Sequence, residues 1–466
     1  MAVPRPQKSS KRRPLWWWLL PLAGALFFAL ALLGSWYVLH DEPPPADTDL
    51  RVQVIASPRD QNGVYQFADL LQGPLKSNLY GASIVPLSTE DGDYKLRALW
   101  GGAAGADEFL TRSQPVLPEL DALLAKPSFD LTGMLAAAPG WPDMQNHEWD
   151  AYAWEIAEIL QLAAARAQQA EDYPAAVREI LRAQRFANRL SQAHGTTMDM
   201  LSAIVLDSLA ALSIRELLND PALPPVERDI LSQAAPNWFL SGQQSLLSDY
   251  EAVRAQLNAI KVSHPLLSPY PRSSVQEKLR YSFLTLTTQP NATLALTARM
   301  VRREQAFLPE ADGHFDRAAK LAADWEAEIT KPMPTRNFGG RSLLQEPMSR
   351  VFPLSWIYTA TAVDRLVQAG LAVRHYFDDH HARPATLAEL VPQYLPAVPV
   401  DPFDGQPLRY DPGKGLIYAV GTELTDHGGS RFVRAPQNGE FIDPLRDTAQ
   451  PTLELLFQKP PAPANP

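Results

Sequence analysis

From Trp149 to Ala167 the apolar positions recur three and four apart (Trp149, Ala153, Ile156, Leu160, Ala163, Ala164, Ala167), which predicts a helix with one buried face. Asp172 is placed to cap a second helix and Pro174 suits its first turn. Val177, Ile180, Leu181, Gln184 and Ala187 continue the stripe, and Gly195 is the expected stop. A third helix, Met198–Leu218, carries small and apolar residues (Ala203, Val205, Leu209, Ala210, Leu212, Ile214, Leu217), a composition that lets antiparallel helices approach closely. Further helices are predicted over Gln61–Leu75, Asp107–Leu124, Pro225–Gln233, Trp238–Ile260, Ser274–Thr287 and Ala292–Thr330, with Lys331–Pro347 as a loop. Tyr94–Trp100 reads equally as a strand or a helical turn.

The period changes towards the C-terminus. A helix over Leu354–Phe377, with the stripe Leu366, Val367, Gly370, Val373 and Phe377, leads into a β-prone pair, Leu408–Tyr410 and Leu416–Val420. Asp411 to Gly415 form the hairpin loop, and Asp404-Gly405 after Asp401-Pro402 a tight turn. Two strands alone are marginal, so this small sheet is expected to lean on the helix. Leu453–Phe457 fits a docking strand or a short helix ahead of a Pro/Ala-rich end.

The N-terminus adds a different signal. Leu15–Leu39 contains no charged residue and would span about 37 Å as a helix, enough for a bilayer core of about 30 Å. Trp16, Trp17 and Trp18 at one end and Trp36 and Tyr37 at the other match interfacial belts. Arg5, Lys8, Lys11, Arg12 and Arg13 precede the run, and acidic residues follow it. The reading is a retained single-pass anchor with its N-terminus in the cytoplasm and residues 40–466 outside it. The competing reading is a cleaved signal peptide with Ala29-Leu30-Ala31 as its site, but the apolar run exceeds a secretory core of about 7–15 residues.

The formal net charge is −10, and five basic residues with no acidic one precede the apolar run, so the remainder is more acidic still and a poor fit to nucleic acid. There is no cysteine, which excludes disulfides, thiolate metal sites and a Cys nucleophile. No GxSxG or GxxxxGK[ST] motif occurs. His147-Glu-Trp-Asp-Ala151 begins like a zinc-protease helix but lacks the second His, and Gly101–Ala106 lacks the Lys-Ser/Thr of a phosphate loop.

Two stretches carry resemblances. The junction Ala170–Ala187 resembles the helix-turn-helix of a tetratricopeptide repeat over about one repeat. The segment from about 354 to 429 resembles the C-terminal domain of type II secretion major pseudopilins, through Tyr376, Pro384, Asp401, Pro402, Phe403, Gly405, Tyr410, Gly413, Tyr418, Gly421, Gly428 and Gly429. The chain lacks the pseudopilin leader and the Glu that follows it, and about 300 residues separate its anchor from this module, so it is not expected to be a pilus subunit. The whole arrangement also resembles single-pass bacterial inner-membrane proteins to which no activity is attached.

The pseudopilin resemblance implies a calcium loop after the hairpin. Here that loop, GTELTDHGG, offers the carboxylates of Glu423 and Asp426; the alternative is that Asp426 tightens the Gly428-Gly429 turn. A zinc site is the other metal candidate, from His375, Asp379, His380 and His381, with His375 and Asp379 one helical turn apart. Cationic His at a helix end is the competing explanation.

These readings combine into a mainly α protein: a basic tail (1–14), a transmembrane helix (15–39), an acidic Pro-rich spacer (40–60), a helical-hairpin, tetratricopeptide-like ectodomain (61–345), a pseudopilin-like α+β module (346–445) and a Pro/Ala-rich tail (446–466). With no catalytic motif, the expected role is a non-catalytic scaffold that contacts a protein partner in the envelope. The alternative is a tethered metal-dependent hydrolase built on the His375–His381 cluster.

Overall fold

The computed structural model describes residues 40–55, 57–72, 113–133, 148–231, 236–262, 283–330, 336–345, 354–429 and 451–455, with isolated positions in 23–36 and at 110, 111 and 457. The expected elements at Tyr94–Trp100 and Gly101–Ala106 lie outside these residues, as does most of Ser274–Thr287.

The protein is mainly helical. Helices α1 (Gly63–Gln72) and α2 (Val116–Leu124) precede a set of three that pack against one another, α3 (Glu148–Gln169), α4 (Tyr173–Ser191) and α5 (Thr197–Asn219). Local chemistry sets their ends. Asp172 accepts the amide of Ala175 at 3.1 Å with Pro174 in the first turn of α4, as the spacing predicts. Helix α4 stops at Ser191, short of Gly195. Gly195 instead lies where a Cβ would meet Asp199 at 2.6 Å, beneath the reciprocal capping box of Thr196 and Asp199 that opens α5.

Helix α5 is the centre of the molecule. It touches α3, α4, α7 (Trp238–Val262) and α11 (Ser355–His380), and its apolar stretch is mostly buried. It is long and apolar enough to cross a membrane, yet it serves as a core helix. Short α6 (Pro225–Ile230) packs on α4.

The helix expected over Ala292–Thr330 is two: α8 (Pro290–Phe307), a 3-10 turn (Leu308–Glu310), then α9 (Phe315–Ile329). Gly313, at φ +81°, makes the break, and a Cβ there would meet Gly405 Cα at 2.8 Å. The loop expected at Lys331–Pro347 contains α10 (Phe338–Gln345). Its Gly339 and Gly340 let backbone and side chains approach: a Cβ on Gly339 would stand 2.0 Å from the Leu284 carbonyl oxygen.

The C-terminal sheet is antiparallel in the order β1 (Arg409–Asp411), β2 (Leu416–Tyr418), β3 (Thr452–Glu454). The hairpin matches expectation, with Tyr410 opposite Ile417. Of the two alternatives for Leu453–Phe457, the strand is formed, pairing Leu453 with Ile417. Leu453 also fills the notch at Gly370 of α11, where a Cβ would lie 2.3 Å from Leu453 Cδ2.

Module and helical region share one continuous core. Phe403 joins Phe315 and Tyr358 edge-on or tilted, with ring centroids 5.0–5.7 Å apart. Gly313 N–H donates to the Pro402 carbonyl at 2.7 Å and Phe315 N–H to that of Phe403 at 3.1 Å. Arg374 of α11 donates to the carbonyls of Leu218 and Asp220, closing the C-terminus of α5.

The acidic segment from His40 to Leu50 is strapped along the helices. Asp41 accepts the amides of Asn291 and Ala292 at the start of α8. Tyr250 donates to Asp47 at 2.9 Å, Arg302 forks onto Asp49 at 2.7 and 2.8 Å, Arg336 donates to the His40 carbonyl, and Leu50 is fully buried.

Candidate functional site

None of the metal-ligand candidates converge. His375 Nε2 lies 3.3 Å from Asp229 on α6, and burial, then the Arg228 charge, lower its pKa. Asp379 accepts the hydroxyl of Tyr394 at 2.7 Å. His380 lies tilted against Tyr376, ring centroids 4.2 Å apart, and sits 3.3 Å from the Tyr394 hydroxyl. His381 is the left-handed cap of α11, with φ 54° and its N–H on the Phe377 carbonyl. Among the described residues no group of three or more His, Cys, Asp or Glu is placed to hold a metal ion.

The calcium candidates are engaged as well. Asp426 accepts the amide of Gly428 at 2.8 Å, tightening a turn in which Gly428 and Gly429 both have positive φ. Glu423 lies 3.0 Å from His427 Nε2. Two carboxylates already committed to turn and side-chain partners do not fit the six to eight or so oxygens calcium takes.

Asp401 instead holds the C-terminal turn and hairpin together. Asp401, with no exposed surface, accepts the amides of Phe403 (2.9 Å) and Val420 (2.8 Å) and an Arg409 N–H (2.7 Å). It ties the Asp-Pro turn to β1 and to the end of the hairpin.

The site that stands out lies elsewhere, where α4, α7, α11 and the 3-10 turn leave a cleft of ≈ 810 Å³. That size is within the range of small-molecule pockets. Its apolar wall includes Leu231, Phe239, Leu308 and Leu371; its polar side includes Gln184, Gln243, Gln368, Asp364 and Arg365. Trp238, 1% exposed, donates from Nε1 to Asp364 Oδ2 at 2.7 Å. Asp364 keeps part of its surface open, while its hydrogen-bond partner Asp207 on α5 is buried.

Burial pushes both carboxyls up, and for Asp364 the neighbouring Asp207 adds to the effect, raising it well above the carboxylate range. Adjacent carboxyls of this kind resist ionising together. The Arg365 charge opposes the rise at Asp364 only in part, since its fork grips Asp312 at 2.6 and 2.9 Å and the Val400 carbonyl at 2.8 Å.

Sequence reasoning did not single out this pair. A signal existed: Asp207 interrupts the apolar run Ile204–Leu212, and Asp364 interrupts Thr359–Val367. Nothing local says that the two meet. A second set of buried acids lies nearer the strap, where Asp249 of α7 accepts the Thr197 amide at 3.0 Å and Glu304 of α8 is 3% exposed.

No protein-family model matches this chain, and no curated protein and no solved structure does either.

Proposed function

We propose that the chain is a membrane-anchored interaction protein of the bacterial envelope. Leu15–Leu39 crosses the inner membrane once, the N-terminus stays in the cytoplasm, and residues 40–466 form an extracytoplasmic body that contacts a protein partner. In this reading α3–α5 act as a tetratricopeptide-like hairpin set, and α11 with its sheet as a pseudopilin-like module.

The observation that carries the reading is the apolar exposure before the strap. The described positions between Ala25 and Trp36 are helical, and Leu26, Phe27, Phe28 and Leu33 are 62, 76, 64 and 62% exposed. Leaving a side chain of this kind in water costs about 1.5–3 kcal/mol relative to burial. A lipid environment removes that cost, and the basic residues before it set the orientation.

The test has two stages. Full-length chain in bacterial membranes should resist alkaline carbonate extraction, and residues 40–466 should be digested by protease added to spheroplasts. Extraction into the soluble fraction, or protection of that region, refutes the anchor. Crosslinking in the native membrane should then capture a defined envelope protein. Capture of nothing beyond the chain itself refutes the interaction role.

A further inference from the structure

The apolar run joins the body at one corner. His40 N–H donates to the Trp36 carbonyl at 2.8 Å and the two rings stack 4.6 Å apart, which fixes the last described aromatic of the run beside the first residue of the strap. The strap then seats between two helix starts. Arg336, two residues before α10, donates to the His40 carbonyl at 2.8 Å. Asn291, in the first turn of α8, donates its amide to Asp41 at 2.8 Å and its side-chain nitrogen to the Glu42 carbonyl at 2.7 Å.

Residues 283–287 are helical and close the same corner. The Leu284 carbonyl lies against Gly339, and the Phe283 ring is tilted against Phe338 with centroids 5.8 Å apart. Phe283 and Leu286, three positions apart on one helical face, are 47 and 52% exposed. Among the described side chains beyond the apolar run, no other Phe or Trp is exposed. The carboxylates nearest the corner are partnered: Asp41 caps α8, and Glu42 lies 3.7 Å from Arg336. Their charge therefore opposes an approach to anionic headgroups less than bare carboxylates would.

We propose that Phe283 and Leu286 are a second membrane contact, entering the headgroup boundary of the same bilayer that holds Leu15–Leu39. This inference rests on the anchor reading given above. A Phe and a Leu on one face of a helical turn are the side chains that lie in such a boundary. A lipid surface fits better than a second protein, because two side chains fall far short of the roughly 800 Å² per partner of a stable protein interface. The patch needs little affinity of its own, since the apolar run, attached at the same corner, holds it at high effective concentration beside the bilayer.

The chain has no cysteine, so one introduced thiol can carry a bimane label. Full-length Leu286→Cys, changed at an exposed position, is labelled and placed in vesicles of phosphatidylethanolamine and phosphatidylglycerol. A nitroxide on the lipid headgroup or the shallow acyl chain serves as quencher. Glu310→Cys is the comparison, exposed and beyond the far end of α8, which is about 27 Å long. Bimane at 286 should emit at shorter wavelength and lose fluorescence to the nitroxide lipid, and bimane at 310 should do neither. Adding Phe283→Glu to Leu286→Cys should restore the fluorescence, because a charge at the patch opposes its entry.

Flotation with the vesicles and resistance to carbonate report the anchor separately. Chain that floats but shows no quenching at 286 overturns the patch and leaves the anchor standing. A blue shift at 286 without lipid quenching means that a second copy of the chain covers the patch, which also overturns the proposal. Equal quenching at 310, or quenching unchanged by Phe283→Glu, does the same. Chain that does not float refutes the anchor and the patch together.

Discussion

Glu304 on α8 should make the protein less stable as pH rises through neutrality. Its side chain is 3% exposed and Oε2 has no hydrogen-bond partner. Burial, then the charge of Asp249, pushes its pKa from 4.5 to about 8. The sign follows from proton binding. Between those two values the folded chain keeps a proton that the unfolded chain has released, so folding stability falls as pH rises. The contribution is intact below about 4.5, declines through neutrality and levels off above about 8. At about 1.4 kcal/mol per pH unit the whole displacement amounts to about 5 kcal/mol, of which about 3 kcal/mol is lost by pH 7 or so. Asp249, raised by burial to about 7, acts in the same direction, though the two acids interact and their effects do not add. Glu304→Met keeps the volume and removes both the charge and the unpaired oxygen. Urea unfolding of full-length chain in detergent, followed across acidic to alkaline pH, is the assay. The variant should lie within about 1.5 kcal/mol of the parent at acidic pH, and be more stable by a few kcal/mol at alkaline pH, with a flatter profile. A parent-like slope, or a variant less stable at alkaline pH, would refute the reasoning.

Phe403→Ala should cost about 3–5 kcal/mol, because a ring 1% exposed leaves the cluster with Phe315 and Tyr358; thermal unfolding and proteolysis within residues 381–429 would report it. Asp401→Ala should cost about 2–4 kcal/mol by stranding two buried amides and removing one Arg409 partner, whereas Asp404→Ala, at a side chain 24% exposed, should cost roughly 1 kcal/mol; chemical denaturation separates the two. Truncation after Gly429 removes β3, so hydrogen exchange should accelerate at Ala419, whose N–H now donates to the Pro451 carbonyl at 3.0 Å.

Local features were legible in the sequence. The Asp172 cap spans only the four residues to Ala175, and the Pro-Gly-Lys-Gly turn marks the hairpin locally. What was not legible depends on distant neighbours. Gly313 breaks the Ala292–Thr330 stripe because the chain must fold there against Gly405, and the stripe itself carries no trace of that contact. Gly339-Gly340 reads as a helix breaker, yet the helix forms because only glycine fits beside Leu284 and Thr293. The His375–Asp379 spacing does place both on one helix, but neighbours on α6 and at Tyr394 draw the side chains apart. The Asp207–Asp364 pair joins two helices far apart in the chain, and each residue alone looks like a flaw in an apolar face.

The strap from His40 to Leu50 has a mechanical consequence. As a free coil, a segment of this length would let the body wander by about 18 Å around its point of attachment. Seated on α7 and α8 through Asp41, Asp47 and Asp49, it instead behaves as a short rigid bracket. If Leu15–Leu39 is embedded in a bilayer, the body then rides at a constant height with one flank turned towards the lipid surface. A neighbour in the same membrane would meet it as a two-dimensional encounter between fixed faces, with no slack to search and none to lose on binding.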